Sequence, residues 1–179
     1  FRLKSNEQEI NFKGTVRDST FKNIDIDFTN VYLKSFLPTI DSLKLEGKLD
    51  GTVTIYQKEG VYGPKGNLSV KDFEINNFKQ GDLSLNIEGE SSYEKYDVNF
   101  SLEREQAKSI SAIGSLDFSE TRPKIDVSVN LEEFELNAFS PLGEDVLSKI
   151  RGDATGDFTL RGFLRNPEME GKLLLKDAG

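Results

Sequence analysis

The sequence predicts an all-β fold, a long antiparallel meander with two short helical segments. Two observations predict it. Apolar residues recur at every second position through most of the chain, and few residues remain to form a second layer. Strict alternation places apolar side chains on one face of an extended strand and polar side chains on the other. Buried parallel strands would instead appear as continuous apolar runs, so the alternation favours antiparallel pairing.

The clearest alternation runs from Leu43 to Ile55, where every odd position is apolar or glycine and every even position is polar. Segments with the same pattern begin at Ile10, Ile24, Gly66, Leu83, Val98, Ile110, Ile125, Ile150 and Gly171. Turn-forming residues separate several of these segments, at 59–64, 91–92, 103–108 and 120–123. We therefore predict ten strands joined mainly by hairpins.

Two stretches have helical rather than alternating spacing of their aliphatic residues. They are 35–42 and 140–148, and in the second Ser140 is a suitable N-cap for a helix with Pro141 at its first position. Each is long enough for only two or three turns. These are the two helical segments of the predicted fold.

The composition excludes most catalytic chemistry. The chain has no cysteine, histidine or tryptophan, which removes thiol nucleophiles, Cys/His zinc sites and imidazole bases. We therefore expect neither enzymatic activity nor a bound cofactor or metal. The net charge of −8 disfavours nucleic acid, which needs clustered lysine and arginine. No apolar run approaches the roughly 20 residues of a transmembrane helix.

The chain contains an internal repeat. The stretch 45–55, with Gly47 and Gly51 at apolar positions, matches 150–160, where Gly152 and Gly156 stand at the same places. The matched residues are about 100 to 105 positions apart, an offset typical of a repeat array. We predict a first repeat unit at 1–124 and a second, truncated unit at 125–179, both part of one continuous sheet in a longer protein.

The repeated pattern resembles a known family. Gly-x-Leu-x-Gly-x-Val-x-Ile, a short loop and Pro-x-Gly-x-Leu-x-Val-x-Asp occupy 47–72 and recur in variant form at 152–177. A Leu-x-x-Phe-x-Pro box precedes each copy, at 33–38 and 136–141. These features are similar to the C-terminal region of the TamB family of diderm bacteria, relatives of the AsmA-like proteins and of the bridge-like lipid transfer proteins. The content of Lys, Asn, Phe and Ser favours a Bacteroidota relative.

The resemblance implies a sheet curled into an open, hydrophobic-lined groove, a β-taco, that crosses the periplasm. It implies a segment of a longer protein, anchored to the inner membrane, that carries phospholipids along the groove between inner and outer membranes. It also implies a role in outer-membrane protein assembly with an Omp85-type barrel, TamA. The expected partners are thus phospholipid acyl chains and, through the full-length protein, a TamA-like barrel.

An apolar stripe supports such a mechanism on physical grounds. A two-chain lipid in water exposes about 30 methylenes at roughly 0.8 kcal/mol each, on the order of 24 kcal/mol. A groove removes most of this cost and needs no catalytic side chain. The residues expected to line it are Phe12, Val16, Ile26, Phe28, Leu43, Leu45, Leu49, Val53, Ile55, Leu68, Val70, Leu83, Leu85, Ile87, Val98, Phe100, Leu102, Ile110, Ala112, Leu116, Ile125, Val127, Val129, Ile150, Ala154, Phe158, Leu160, Leu173 and Leu175.

The same residues also allow an alternative. The apolar stripe suits the sealed core of a sandwich-like β-repeat module with a structural or adhesive role at the cell surface.

Two further motifs carry no chemistry in our interpretation. Asp25, Asp27 and Asp126 form a solvated strand face, because they lack the loop spacing of a calcium site. The glycine-rich stretch 60–66 is a turn, because it lacks the Gly-Lys-Ser/Thr ending of a phosphate loop.

Overall fold

The computed structural model describes residues 1–17, 21–35, 44–58, 61–89, 94–143 and 151–177. Within these ranges eleven strands form one antiparallel sheet, and each strand pairs with the next in the chain. The strands are β1 (Arg2–Ser5), β2 (Gln8–Val16), β3 (Phe21–Tyr32), β4 (Leu45–Lys58), β5 (Val61–Ile75), β6 (Phe78–Gly89), β7 (Lys95–Arg104), β8 (Ala107–Asp117), β9 (Lys124–Glu135), β10 (Asp153–Phe163) and β11 (Asn166–Lys176).

The sheet is an open meander with β1 and β11 at its two edges. The prediction of an all-β antiparallel sheet that curls without closing is confirmed. All ten predicted strands are present, and β1 was not anticipated because its four residues hold a single apolar side chain, Leu3. The turns predicted at 59–64 and 60–66 are too long. β4 and β5 stay paired as far as Lys58 and Val61, so 61–66 belong to β5 and Pro64 lies opposite Ile55.

Two connections are tight two-residue turns with left-handed backbones. Asn76 and Asn77 have φ angles of 53° and 68°, and Glu105 and Gln106 have 52° and 68°. Two successive positive φ angles characterise the hairpin turn whose twist matches that of the flanking strands. These turns therefore fix the pairing next to them, Ile75 with Phe78 and Arg104 with Ala107.

The described helical structure consists of two 3-10 segments, η1 (Leu33–Ser35) and η2 (Leu136–Gly143). The second begins four residues before the predicted helix at 140–148, because Leu136 and Phe139 are already drawn onto the core. Residues 144–148 of that prediction lie outside the described residues, as do all of 35–42 except Ser35.

β-Bulges interrupt the alternation in β3, β5 and β9, and the register also shifts between Phe73 and Glu74 and between Leu102 and Glu103. At each of the first three places one non-glycine residue has a positive φ, 50° at Asn30, 51° at Asp72 and 45° at Glu133. The extra residue moves the apolar positions from even to odd numbers in β3 and β5, and from odd to even in β9. Phe28 and Val31, for example, therefore point to the same face of the sheet.

The backbone of each bulge is held by a side chain of the neighbouring strand. The Asn30 amide donates a hydrogen bond to Asp50 Oδ1 (2.9 Å), and the Glu133 amide donates one to Thr155 Oγ1 (3.0 Å). The Asp72 amide is likewise bonded to a carboxylate of the next strand. The bulges at Asn30 and Glu133 occupy matching places in the sequence repeat, so the two repeat units share this local backbone geometry.

The core lies where β3 to β10 approach the 3-10 segments. Its fully buried members include Leu102, Ala154 and Ala138, which are 1%, 1% and 0% exposed. Partly buried side chains pack against this cluster from Ile10 on β2 to Phe158 on β10. One apolar cluster thus joins almost the whole width of the sheet.

A glycine-to-alanine pair tests the close strand approach that this geometry requires. Gly156 has φ +150°, and a Cβ there would collide with the carbonyl oxygen of Lys172 on β11. We expect Gly156→Ala to lower the free energy of unfolding by about 1–3 kcal/mol. Gly66→Ala is the control, because its Cβ would lie 3.4 Å from its nearest neighbours, and we expect a change below about 1 kcal/mol. Equal losses in urea titrations of both variants would contradict this account.

Candidate functional site

One face of the sheet carries rows of apolar residues and glycine from β2 to β11, and we call it the apolar face. Towards the end of β2 it also includes Lys22 and Gln57, in one row with Val16. Strand register makes this continuity explicit, because paired residues in a sheet point to the same side. A single row across ten strands runs Ile10, Phe28, Gly51, Leu68, Leu85, Phe100, Ala112, Val129, Phe158 and Gly171. Every member of this row is apolar or glycine.

Two parallel rows have the same character. One consists of Phe12, Ile26, Val53, Gly66, Ile87, Val98, Gly114, Val127, Leu160 and Met169. The other consists of Val31, Leu49, Val70, Leu83, Leu102, Ile110, Leu131, Gly156 and Leu173. Glycine stands beside larger side chains in each row, and at Gly51, Gly114 and Gly156 a Cβ would collide with the backbone of the next strand.

The register places the described predicted lining residues on this face, while Leu43 and Ile150 lie outside the described residues. Sequence analysis missed Val31, Phe73, Ile75 and Phe134, which belong to the same face. Each follows a bulge at Asn30, Asp72 or Glu133. The apolar residues before a bulge and those after it therefore differ in whether their residue numbers are even or odd. The switch of the apolar residues from even to odd positions after Asn30 and after Asp72 was the signal in the sequence that could have identified them.

The apolar face is packed at one end, which we call the helical end because η1 and η2 lie there. Leu49, Val70 and Leu102 are 5%, 4% and 1% exposed at this end. The side-chain amide of Asn76, in the β5–β6 turn, donates a hydrogen bond to the carbonyl of Ala138 in η2 (2.9 Å). The 3-10 segment is thereby fixed to a turn 62 residues away in the chain. The strands are closely covered here.

The apolar face is accessible elsewhere. Residues such as Phe12, Val53, Ile87 and Val98 in the middle of the strands are only partly buried. Along β11, Met169, Leu173 and Leu175 are 64%, 44% and 54% exposed. We call the end opposite the helical end the far end. It carries the connections that follow β2, β4, β6, β8 and β10, and there Val16 is 60% exposed. Hydrocarbon could therefore reach the face from the far end and from the β11 edge.

The outer face of the sheet is polar and internally hydrogen-bonded. Thr54 donates a hydrogen bond to Asp25 (2.7 Å), Thr52 donates one to Asp27 (3.0 Å), and Lys13 pairs with Asp27 (3.0 Å). The hydrogen bond from Lys13, followed by that from Thr52, lowers the pKa of Asp27. These carboxylates thus take part in strand-to-strand pairing.

A shallow concavity of about 330 Å³ also lies over β8, β9 and β10. Its lining includes the outer-face groups Ser111, Asn130 and Asp157, and the Asn130 amide is bonded to the Asp157 carboxylate (2.9 Å). Among the described residues, no group of three or more acidic side chains could hold a metal ion. No described helix has the length and apolarity needed to span a bilayer.

Acid should destabilise the fold through these outer-face carboxylates. Hydrogen bonds and ion pairs lower the pKa values of Asp27, Glu9, Glu88 and Asp117 in the folded chain. A lowered folded pKa adds stability above the unfolded pKa, and that stability is lost as the pH falls through the folded value. We expect a level melting temperature between about pH 5 and 7 and a fall below about pH 4. The fall should be shallower in Asp27→Asn, and a melting temperature that rises on acidification would contradict this.

Comparison with known proteins gives no relative on which to base a function. No protein-family model matches the chain, and the searches of curated proteins and of solved structures returned no significant match. The family resemblance in the sequence therefore remains an expectation, and the function is argued from the geometry of the apolar face.

Proposed function

We propose that this chain carries the acyl chains of phospholipids along its apolar face. In the wider proposal it is a segment of a TamB-like protein that is anchored to the inner membrane. That protein spans the periplasm, moves phospholipids to or from the outer membrane, and supports outer-membrane protein assembly with a TamA-like barrel. The observation that carries the proposal is the unbroken register of apolar residues and glycines across ten strands.

Continuity matters because transport needs equivalent sites side by side. Any polar gap along the face would impose a desolvation barrier on each hydrocarbon chain that passed it. In the central row, neighbouring members such as Phe100 and Ala112, or Val129 and Phe158, are direct pairing partners on adjacent strands. Adjacent strands are about 4.8 Å apart, so successive apolar contacts are closer than the length of an acyl chain. A bound chain would therefore always touch several strands at once.

Accessibility is the second support. A sheet used only for its own stability would bury its large apolar side chains, yet Met169, Leu173 and Leu175 on β11 stay largely exposed. Large contiguous apolar exposure is uncommon on soluble monomers and marks an interaction surface.

The polar outer face fits a role in an aqueous compartment. It carries ion pairs between neighbouring strands, such as Lys13 with Asp27 (3.0 Å) and Lys65 with Glu88 (2.8 Å). Pairs this exposed add little stability, but they keep the face solvated and discourage association through it. Lipid would accordingly be confined to one side of the sheet.

A second candidate function is a structural or adhesive β-repeat module with a sealed core. The packed helical end favours it, because Leu102 and Ala154 there are as buried as residues in an ordinary protein core. The two candidates differ in what the central part of the apolar face does. A structural module needs no ligand there, whereas a lipid carrier binds hydrocarbon.

A charge placed on the central part of the apolar face separates the candidates. We expect Val53→Asp to keep the β-sheet circular dichroism signal but to lower the amount of co-purifying phospholipid by about tenfold or more, because an unpaired carboxylate opposes hydrocarbon contact. The readout is native mass spectrometry of the purified chain, followed by lipid extraction.

Two variants complete this experiment. Asn67→Asp places the same charge on the outer face, on the strand next to Val53, and should leave bound lipid unchanged. Leu102→Asp buries a charge in the packed cluster and should unfold the chain at a cost of several kcal/mol. If the wild-type chain is folded but carries no phospholipid, or if Val53→Asp unfolds it like Leu102→Asp, the sealed-core function is favoured.

A further inference from the structure

The register of the last two strands repeats that of β4 and β5. Gly51 on β4 pairs with Leu68 on β5, and Gly156 on β10 pairs with Leu173 on β11. Each residue of the second pair stands 105 positions after its counterpart in the first. β11 is therefore the structural counterpart of β5. The two strands differ in their surroundings, because β5 pairs with β6 on its other side, whereas β11 is an edge of the described sheet.

Burial differs accordingly between the two strands. Val70 on β5 is 4% exposed, whereas its counterpart on β11, Leu175, is 54% exposed. All eleven residues of β11 are exposed, including Leu173 at 44%. An edge strand also directs alternate N–H and C=O groups away from its single neighbour, and such groups readily accept a further strand. β11 therefore presents both the apolar side chains and the backbone groups that a further strand needs.

The backbone after β11 has the conformation of the bulge that faces β6. Asp72, at the bulge of β5, has a φ of 51°, and Asp177, which stands 105 positions later, has a φ of 54°. A positive φ is uncommon for a residue other than glycine. The Asp72 amide donates a hydrogen bond to Asp82 Oδ1 of β6 (3.0 Å). Within the described part of the chain no strand lies beyond β11, so the conformation at Asp177 is present without a neighbouring strand to supply that carboxylate.

The sequence of β6 shows which strand fits such an edge. The residues after Asp82 alternate between apolar and polar, and the apolar ones pair with residues of β5 on the apolar face. They are Leu83, Leu85 and Ile87, opposite Val70, Leu68 and Gly66. A strand of this pattern beside β11 would set its aspartate next to the Asp177 amide and its apolar residues opposite those of β11.

We propose that the free edge of β11 binds an extended segment of a partner polypeptide in antiparallel orientation. The segment has the β6 pattern, an aspartate followed by apolar residues at the first, third and fifth positions after it. Backbone hydrogen bonds supply the affinity, and the alternate side chains supply the specificity. The bound segment continues the sheet beside the apolar face and does not lie over it. This inference therefore does not require that lipid occupies the face.

A second copy of this chain is the competing occupant, because two β11 edges could pair about their central residue, Gly171. That pairing sets Arg165 of one copy opposite Asp177 of the other. It brings a cation to the bulge amide, where β6 supplies the carboxylate acceptor of Asp82. The β6 pattern therefore fits this edge better than a second copy does.

The first experiment adds a fluorescent peptide with the sequence of β6, residues 78–89, to the purified chain. Fluorescence anisotropy measures binding, and hydrogen–deuterium exchange of the chain locates it. We expect the peptide to slow the exchange of β11 amides and to leave that of β1 amides unchanged, whereas a peptide of scrambled order should not bind. A peptide with Asp82→Ala should bind about tenfold more weakly, because it lacks the carboxylate that accepts the bulge amide.

Variants of the chain test the preformed bulge. Asp177 lies after β11 and is exposed, so substitutions there leave the pairing of β10 with β11 intact. Asp177→Val should weaken peptide binding about tenfold, because a β-branched residue disfavours a positive φ. Asp177→Gly is the matched control and should keep the affinity, because glycine adopts a positive φ readily. On β11 itself, Leu173→Lys should weaken binding and Leu174→Lys should not, because only Leu173 points to the apolar face.

Slower exchange along β11, together with tighter binding by Asp177→Gly than by Asp177→Val, supports the docking edge. Equal affinity of these two variants, equal affinity of the scrambled peptide, or protection of β1 in place of β11 would overturn it. A folded chain that binds no peptide would overturn it as well. If the chain dimerises in sedimentation experiments and the peptide does not release the dimer, the second copy is the occupant and the proposal fails. The lipid-carrier function is tested separately, because peptide binding is measured without lipid.

Discussion

The constraint on which this structure depends is that every strand presents its apolar side chains to the same face. Side-chain direction in a strand has a period of two, so a slip of one residue would send a whole set of apolar side chains to the opposite face. In this chain the apolar side chains stay on the same face across the sheet, even where the alternation in the sequence breaks. The bulges at Asn30, Asp72 and Glu133 absorb the extra residue, and a neighbouring side chain bonds each bulged amide.

This arrangement divides the apolar face into two parts with different physical roles. At the helical end, η1 and η2 close over buried side chains such as Leu102, and this cluster supplies the hydrophobic burial that stabilises a single-layer sheet. Beyond it the face stays partly accessible, and along β11 it is exposed. One end can therefore stabilise the fold while the rest of the face remains available for a hydrocarbon ligand.

The sequence allowed the strands and the shared face to be predicted, because alternation over eight or more residues has only one geometric meaning. It did not allow the bulges to be predicted, since Asp72 and Glu133 are unremarkable polar residues until pairing shows their positive φ. For the same reason Val31 and Phe134 were missed as members of the apolar face. Whether lipid uses the face is a question of occupancy, which strand alternation does not address.

The most direct measurement is a map of contacts between a bound phospholipid and the methyl groups of the chain. Intermolecular NOEs from acyl-chain protons to labelled Ile, Leu and Val methyls would provide it. The account predicts contacts to Val53, Ile87 and Val98 on the apolar face. It predicts none to Ile113 or Leu174, which point to the outer face and are 61% and 71% exposed, so they serve as internal controls for non-specific binding. Contacts distributed equally over both faces, or a folded chain with none at all, would contradict the claim that this apolar face carries lipid.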